Sequence, residues 1–224
     1  MKLTKRQKTW ANLDTEKVYS LSDAIETLRG YASKKFDESL EIAIKLGIDI
    51  TKADQNIRGM LSLPNGTGKT VRVAVFTVNS ADEATKAGAD IVGGEDLIEK
   101  VAGGEINFDR VIATPDMMPK MSKIARILGP KGLMPNPKLG TVTNNVAEAV
   151  KTAKAGQIEY RAEKKGIIHA GIGKMSFTTD QLVENANALI DQLKKVKPSS
   201  TKGQYILGAS VATTQGPGLK VDVK

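Results

Sequence analysis

The sequence predicts a mixed α+β and α/β chain of two domains. One is a discontinuous α+β domain built from both chain ends. The other is an inserted three-layer, parallel-sheet domain of Rossmann-like type. Three observations predict this. Both ends alternate apolar and polar residues with the period of a half-buried strand. The middle alternates short strands with short helices, the pattern of crossover units and a parallel sheet. A run of turn formers, Pro64-Asn65-Gly66-Thr67-Gly68-Lys69, divides the first texture from the second. Residues 1–67 and 157–224 are therefore assigned to the discontinuous domain, and residues 68–156 to the insert. The second hinge falls near Gly156.

Taken in order, Leu21, Ile25, Leu28 and Ala32 recur at helical spacing between Ser20 and Ala32. Leu40, Ile42, Ile44, Leu46 and Ile48 then alternate with Glu41, Ala43 and Lys45, which predicts a strand with one face on a core and one toward water. Residues 56–63 predict a second strand, with Gly59 as a bulge. The run Gly68-Lys69-Thr70 ends like a phosphate-cradling loop. However, such a loop needs glycine at position 63, which is Leu63, and a helix directly after it. A strand follows instead, with Val71, Val73 and Val75 alternating with Arg72, Ala74 and Phe76. The middle then predicts helix 81–89, strand 90–94, helix 95–105, strand 108–115 and one helix over 117–128 with Pro119 near its start. Residues 127–143 hold three prolines and three glycines, but also Leu128, Leu133, Met134, Leu139 and Val142. That mixture predicts an ordered loop rather than a linker. The last third predicts a strand over 166–177 and a helix over 178–196. Leu182, Ala186, Leu189 and Leu193 line one side of that helix, and Thr178 with Gln181 forms a capping box at its start. Strands over 204–214 and 218–223 close the chain.

Composition narrows the function. Net charge is +8 with a pI near 9.5, which favours a polyanionic partner, nucleic acid above all. Aromatic residues are 4% of the chain, too few for reading unpaired bases by stacking. An RNA partner would be recognised by folded shape, phosphates and ribose hydroxyls. The absence of cysteine excludes disulfides and thiolate chemistry and fits a reducing cytoplasm. No apolar run approaches the roughly 20 residues of a membrane span, and the charged start has no apolar core of a secretory signal, so no membrane partner is expected. Residues 68–156 carry 12 basic and 10 acidic side chains, against 21 and 15 in the ends, so the ends are the more basic part. Within the insert, Lys120, Lys123, Arg126, Lys131 and Lys138 form an acid-free basic stretch.

The alternative reading is a nucleotide-binding enzyme on the middle block. It needs a glycine-rich turn directly after the first strand, and no glycine follows that strand until Gly88. No cofactor and no metal are expected. His169, the only histidine, stands in an alternating strand beside Gly171 and Gly173, as a solvated residue or a phosphate or base contact. Arg161, Lys164, Lys165 and Lys174 surround the same strand, where small residues permit close approach and lysines reach phosphates. Thr213, Thr214 and Gln215 precede Gly216 and Pro217 in a turn suited to ribose hydroxyls.

Several blocks, in order, resemble the ribosomal protein L-one family of the large subunit, bacterial type: "KFDESLEIAIKLGID", "IRGMLSLPNGTGK", "GPKGLMPNPKLGTVT", "GIIHAGIGK" and "TTQGPG". The resemblance covers essentially the whole chain. It implies two domains joined by hinges, with the terminal one bound to a folded site on large-subunit ribosomal RNA at the mobile stalk. It also implies binding to the leader of the protein's own operon mRNA, with translational repression, and help in releasing deacylated tRNA from the exit site. The free protein is expected to be a monomer and not an enzyme. By motif, Phe36 and Ser39 fall where the family contacts RNA, with Ser39 in place of the commoner threonine. Glu163, Lys164 and His169 match a second contact segment, with Glu163 in place of aspartate. Thr214, Gln215 and Gly216 match a Thr-Met-Gly triplet in which Gln215 is the departure. Lys5, Arg6 and Lys8 match a basic arm, and Lys174 completes the expected RNA-binding set.

Overall fold

The computed structural model describes residues 4–201 and 203–223. Strand β1 (Val18–Tyr19) leads into α1 (Leu21–Tyr31), whose first turn is closed by the Ser20 hydroxyl accepting from the Asp23 amide. Strands β2 (Ser39–Leu46) and β3 (Arg58–Ser62) follow. The middle of the chain forms β4 (Val73–Phe76), α2 (Ala81–Lys86), β5 (Ile91–Gly93), α3 (Glu95–Ala102) and β6 (Arg110–Ala113). Short helices α4 (Met118–Met121) and α5 (Ala125–Leu128) precede α6 (Val146–Lys154). The chain closes with β7 (Gln157–Arg161), β8 (Ile167–Lys174), α7 (Thr179–Lys195), β9 (Ile206–Thr213) and β10 (Gly218–Val221). No helix among the described residues is long and apolar enough to cross a membrane.

These elements fall into two compact units: Met1–Gly68 with Ile158–Lys224, and Lys69–Gln157. In the end unit a five-stranded sheet runs β1-β10-β9-β2-β8. Strand β2, from the first part of the chain, lies between β8 and β9 from the last part, antiparallel to both. Neither part can complete this sheet alone. Leu40, Ile42, Ile44 and Leu46 turn to one side and pack with Ile25 and Leu28 of α1 and Leu182, Leu189 and Leu193 of α7. The two helices thus cover one face, and the period-2 pattern leaves the opposite face to solvent. The capping box on α7 is complete: Gln181 N–H donates to the Thr178 hydroxyl, and Thr178 N–H donates to the Gln181 side chain.

The middle unit holds a parallel sheet, β5-β4-β6. Val73 and Val75 pack against Ala84, Val146 and Val150 of α2 and α6, while Ala74 and Phe76 pack against α3, α4 and α5. Both faces are covered, so all four residues of β4 are buried. This is the three-layer arrangement expected of crossover units. The proline-rich loop extends it by one residue: Ala113 N–H donates to Thr141 C=O and Thr143 N–H to Ala113 C=O, so Val142 runs parallel to β6.

The structure differs from the sequence expectations in five places. The single helix over 117–128 is instead α4 and α5 separated by a 3-10 turn, with another over Pro115–Met117. Pro119 has no amide to donate, and tighter i→i+3 bonds replace part of the α ladder. The apolar stripe survives, because Met117, Met121, Ile124 and Leu128 are all fully buried. Helix α6 and strands β1 and β7 were not expected. Gly59 is a point of close approach rather than a bulge: a Cβ there would lie 2.5 Å from the Tyr160 hydroxyl. Gly59→Ala is therefore expected to cost about 1–3 kcal/mol in urea unfolding, and Tyr160→Phe to relieve part of that cost.

Candidate nucleic-acid interface

The register of the end unit's sheet gathers one group of candidate residues. Ser39 pairs with Lys174, and Leu40 with Thr213, so the start of β2, the end of β8 and the β9–β10 turn meet at one end of the sheet. Ser39 N–H donates to the Thr214 hydroxyl at 3.0 Å, and Thr214 N–H to Ser39 C=O at 3.1 Å. The Lys174 ammonium donates to the Ser39 hydroxyl at 3.0 Å and to Asp37 C=O at 3.1 Å. The Asp37 carboxylate accepts from the Ser176 amide and hydroxyl. Gly216 N–H closes the turn onto Thr213 C=O, and a Cβ on Gly216 would overlap the Thr213 hydroxyl, so the turn admits no side chain there. Phe36 stands 44% exposed, an apolar ring at the rim of a polar cluster. The hydroxyls of Ser39 and Thr214 thus hold the edge in shape as well as facing outward.

Beneath this edge lies Glu38, 1% exposed. Its carboxylate accepts from the Ser33 amide at 2.8 Å, the Arg6 guanidinium at 2.5 Å and the Gln215 amide at 3.3 Å. Burial raises its pKa, but bonding from Thr213, Ser33, Arg6 and Gln215 outweighs burial and holds the carboxyl below its ordinary value of 4.5. A depressed carboxylate contributes stability that is complete above its unfolded value and lost as pH falls through the folded one. The melting temperature should hold from about pH 8 to about pH 6 and fall below the ordinary glutamate range, with a smaller fall in Glu38→Gln. Equal acid sensitivity in both proteins would remove Glu38 from this role. Sequence reading missed Glu38, although it shares the inward parity of Leu40, Ile42 and Ile44.

Arg6 ties in the segment that carries Lys5 and Lys8, both exposed. Glu163, Lys164 and His169 sit elsewhere, the first two on the turn from β7 into β8 and His169 on β8 just after it. Glu163 N–H donates to Ile167 C=O and Gly166 N–H to Glu163 C=O, in a turn that needs the positive φ of Gly166 (71°). His169 Nε2 lies 3.8 Å from the Glu163 carboxylate, and both side chains are more than half exposed. His169 and Lys174 are five residues apart on β8, roughly 16 Å along an extended strand.

The uncovered sheet face lies between the two groups. Gly171 of β8, Ala43 of β2 and Gly208, Ser210 and Ala212 of β9 point to it. Small side chains leave it shallow, with a groove of about 1140 Å³ bordered by Lys45, His169, Lys194, Lys197 and Lys220. Lys220 is paired with Glu16. The sequence pattern identified strands here but not this low floor with its basic margin.

In the middle unit, Asp82 and Glu83 occupy the first turn of α2, and Glu95 and Asp96 that of α3. Asp96 accepts from the Gly94 amide, and Glu95 pairs with Lys120 at 2.5 Å. Carboxylates where a pyrophosphate would need amides and positive dipole ends disfavour the dinucleotide alternative. The proline-rich loop is ordered around Asn136, whose amide donates to the Thr141 hydroxyl and whose side chain accepts from the Lys138 amide.

A protein-family comparison bears on both units. The model of the Ribosomal protein L1p/L10e family matches residues 28–217. That span contains every candidate residue except Lys5, Arg6 and Lys8, and it runs through both compact units. The chain belongs to the ribosomal protein L1p/L10e family, structural proteins of the large ribosomal subunit associated with the ribosome in the cytoplasm.

Proposed function

We propose that the discontinuous end unit binds a folded segment of large-subunit ribosomal RNA. The RNA would lie across the open sheet face, between the Ser39–Lys174–Thr214 edge and the Glu163–His169 pair. The observation that carries this reading is the convergence of Ser39, Lys174, Thr214 and Gly216 into one hydrogen-bonded edge beside a shallow, lysine-bordered face. Lysines give sequence-independent attraction to phosphate, and the small residues let a backbone with ribose hydroxyls come close. The excess positive charge of the chain ends supports the same assignment.

On this reading the same surface grips a similar fold in the leader of the protein's own operon mRNA and so represses translation. The middle unit, with its basic stretch from Lys120 to Lys138, assists release of deacylated tRNA from the exit site. The free protein is a monomer. The test is a gel shift against large-subunit RNA fragments with salt varied. Affinity should fall steeply with salt. Ser39→Ala with Thr214→Ala should weaken specific binding by more than ~1 kcal/mol, the scale of lost hydrogen bonds. Binding of small-subunit RNA with equal affinity would count against the proposal.

A further inference from the structure

Three segments remote in sequence meet on Arg6. Its guanidinium donates to the Glu38 carboxylate at 2.5 Å and to the Gln215 side-chain oxygen at 2.5 Å. The Glu38 side chain is fully buried, and a buried carboxylate needs a partner charge. Its other donors, the Ser33 and Gln215 amides and the Thr213 hydroxyl, are neutral. Each terminal nitrogen of Arg6 thus gives one of its two N–H donors to a protein group, and its Nε is buried with no partner among the described residues. The segment it belongs to has few other anchors among the described residues, Leu13 packing on the core at its far end. The 3-10 turn Gln7–Trp10 contains no buried residue. Besides Arg6, it touches the domain through Trp10, whose ring stands edge-on to Tyr31 at 6.5 Å, with Arg6 5.9 Å above it.

We propose that Glu38 and Gln215 form a two-point socket for Arg6, which seats the N-terminal arm beside the binding edge and so places Lys5 and Lys8. Arg6 is then a positioning residue rather than a phosphate contact. The role of the arm rests on the RNA-binding reading above; the socket itself does not. Gln215 matters because its side-chain oxygen accepts the bond. A methionine of similar length offers no such acceptor, and the arm would be held at one point.

Trp10 is the only tryptophan, so its fluorescence reports the arm alone. Gln215→Met changes an exposed residue and leaves the Arg6–Glu38 pair in place, so the fold should survive it, while circular dichroism checks the fold of Arg6→Ala, which leaves Glu38 without its partner charge. In the full chain without RNA, each should raise acrylamide quenching of Trp10 by about twofold, as expected for a locally released segment. Glu38→Gln should do the same. With large-subunit RNA fragments, Arg6→Ala should lower affinity several-fold in the wild-type background. It should have no further effect once Lys5 and Lys8 are both alanine, because the cycle then has nothing left to position. Unchanged quenching in Arg6→Ala and Gln215→Met would overturn the socket. An additive loss in the Lys5, Lys8 background would show that Arg6 contacts phosphate itself. If the wild-type chain fails to bind the RNA, the RNA reading and the arm's role in it both fall, while the quenching result still decides the socket.

Discussion

Asn185→Leu is expected to lower the stability of the end unit by about 3 kcal/mol, read as a shift of the urea midpoint by circular dichroism. Asn185 is fully buried on α7, with both amide donors and its oxygen engaged. Its amide nitrogen donates to Ile172 C=O at 2.8 Å and to Gly66 C=O at 3.0 Å, and its oxygen accepts from the Asn65 amide at 3.0 Å. The Ile172 contact has a particular origin. Leu40 pairs with Gly173 and Glu41 with Gly171, so Ile172 is the residue skipped by the β2–β8 ladder. A residue left unpaired in a ladder needs another partner for its backbone, and α7 supplies one. The other two bonds hold the Pro64–Gly68 turn against the helix, with Asn65 also donating to Glu184. Leucine fills the same space and offers none of this, so a buried carbonyl loses its partner and the turn its anchor. An unchanged midpoint would show that water or a backbone shift replaces all three bonds.

The second large effect is electrostatic. Lys174→Glu is expected to weaken binding to large-subunit RNA roughly tenfold to a hundredfold at about 0.1 M salt. The lysine serves two ends. Its ammonium fixes the start of β2 through Ser39 and Asp37, and it carries a positive charge at the proposed edge. The reversed charge loses both bonds and repels phosphate. The control is Lys131→Glu on the exposed part of the middle unit, the same change of charge on the same chain. If net charge alone governed attraction, the two variants would weaken binding alike. The local assignment predicts a much smaller loss for Lys131→Glu and a shallower salt dependence for Lys174→Glu.

Much of the fold was legible in the sequence where burial leaves a period. Strand β2 could be read because one of its faces meets a core, and α7 because a capping box and an apolar stripe agree. Other elements left too little signal. Helix α6 buries only Val146, Val150 and Ala153, and β7 has five residues. Pro119 breaks the bonding of the 117–128 segment without breaking its apolar stripe, so pattern predicted one helix where there are several short pieces. Alternation says which face a residue takes but not which strand lies beside it. The place of β2 between β8 and β9 was therefore invisible, although the joint sheet of the two ends was expected.

The candidate site divides in the same way. Motif resemblance named Phe36, Ser39, Thr214, Gln215 and Gly216, and the structure places them at one edge. It places Glu163 on the β7–β8 turn and His169 beside it near the start of β8, away from that edge, a separation set by the length of β8. Glu38 was within reach of the period-2 pattern, but an acid at an inward position reads as a strand not yet begun. The Arg6–Gln215 bond spans 209 positions and leaves no local trace.

The central claim is that the two chain ends together make the RNA-binding surface. The most direct test joins residues 1–68 to residues 158–224 through a short linker and compares this protein with the full chain and with residues 69–157 in binding large-subunit RNA fragments. The account predicts that the joined ends bind within about tenfold of the full chain, with a similarly steep salt dependence, while the middle unit alone does not. If the joined ends fold by circular dichroism yet fail to bind, or if the affinity stays with residues 69–157, the account is contradicted.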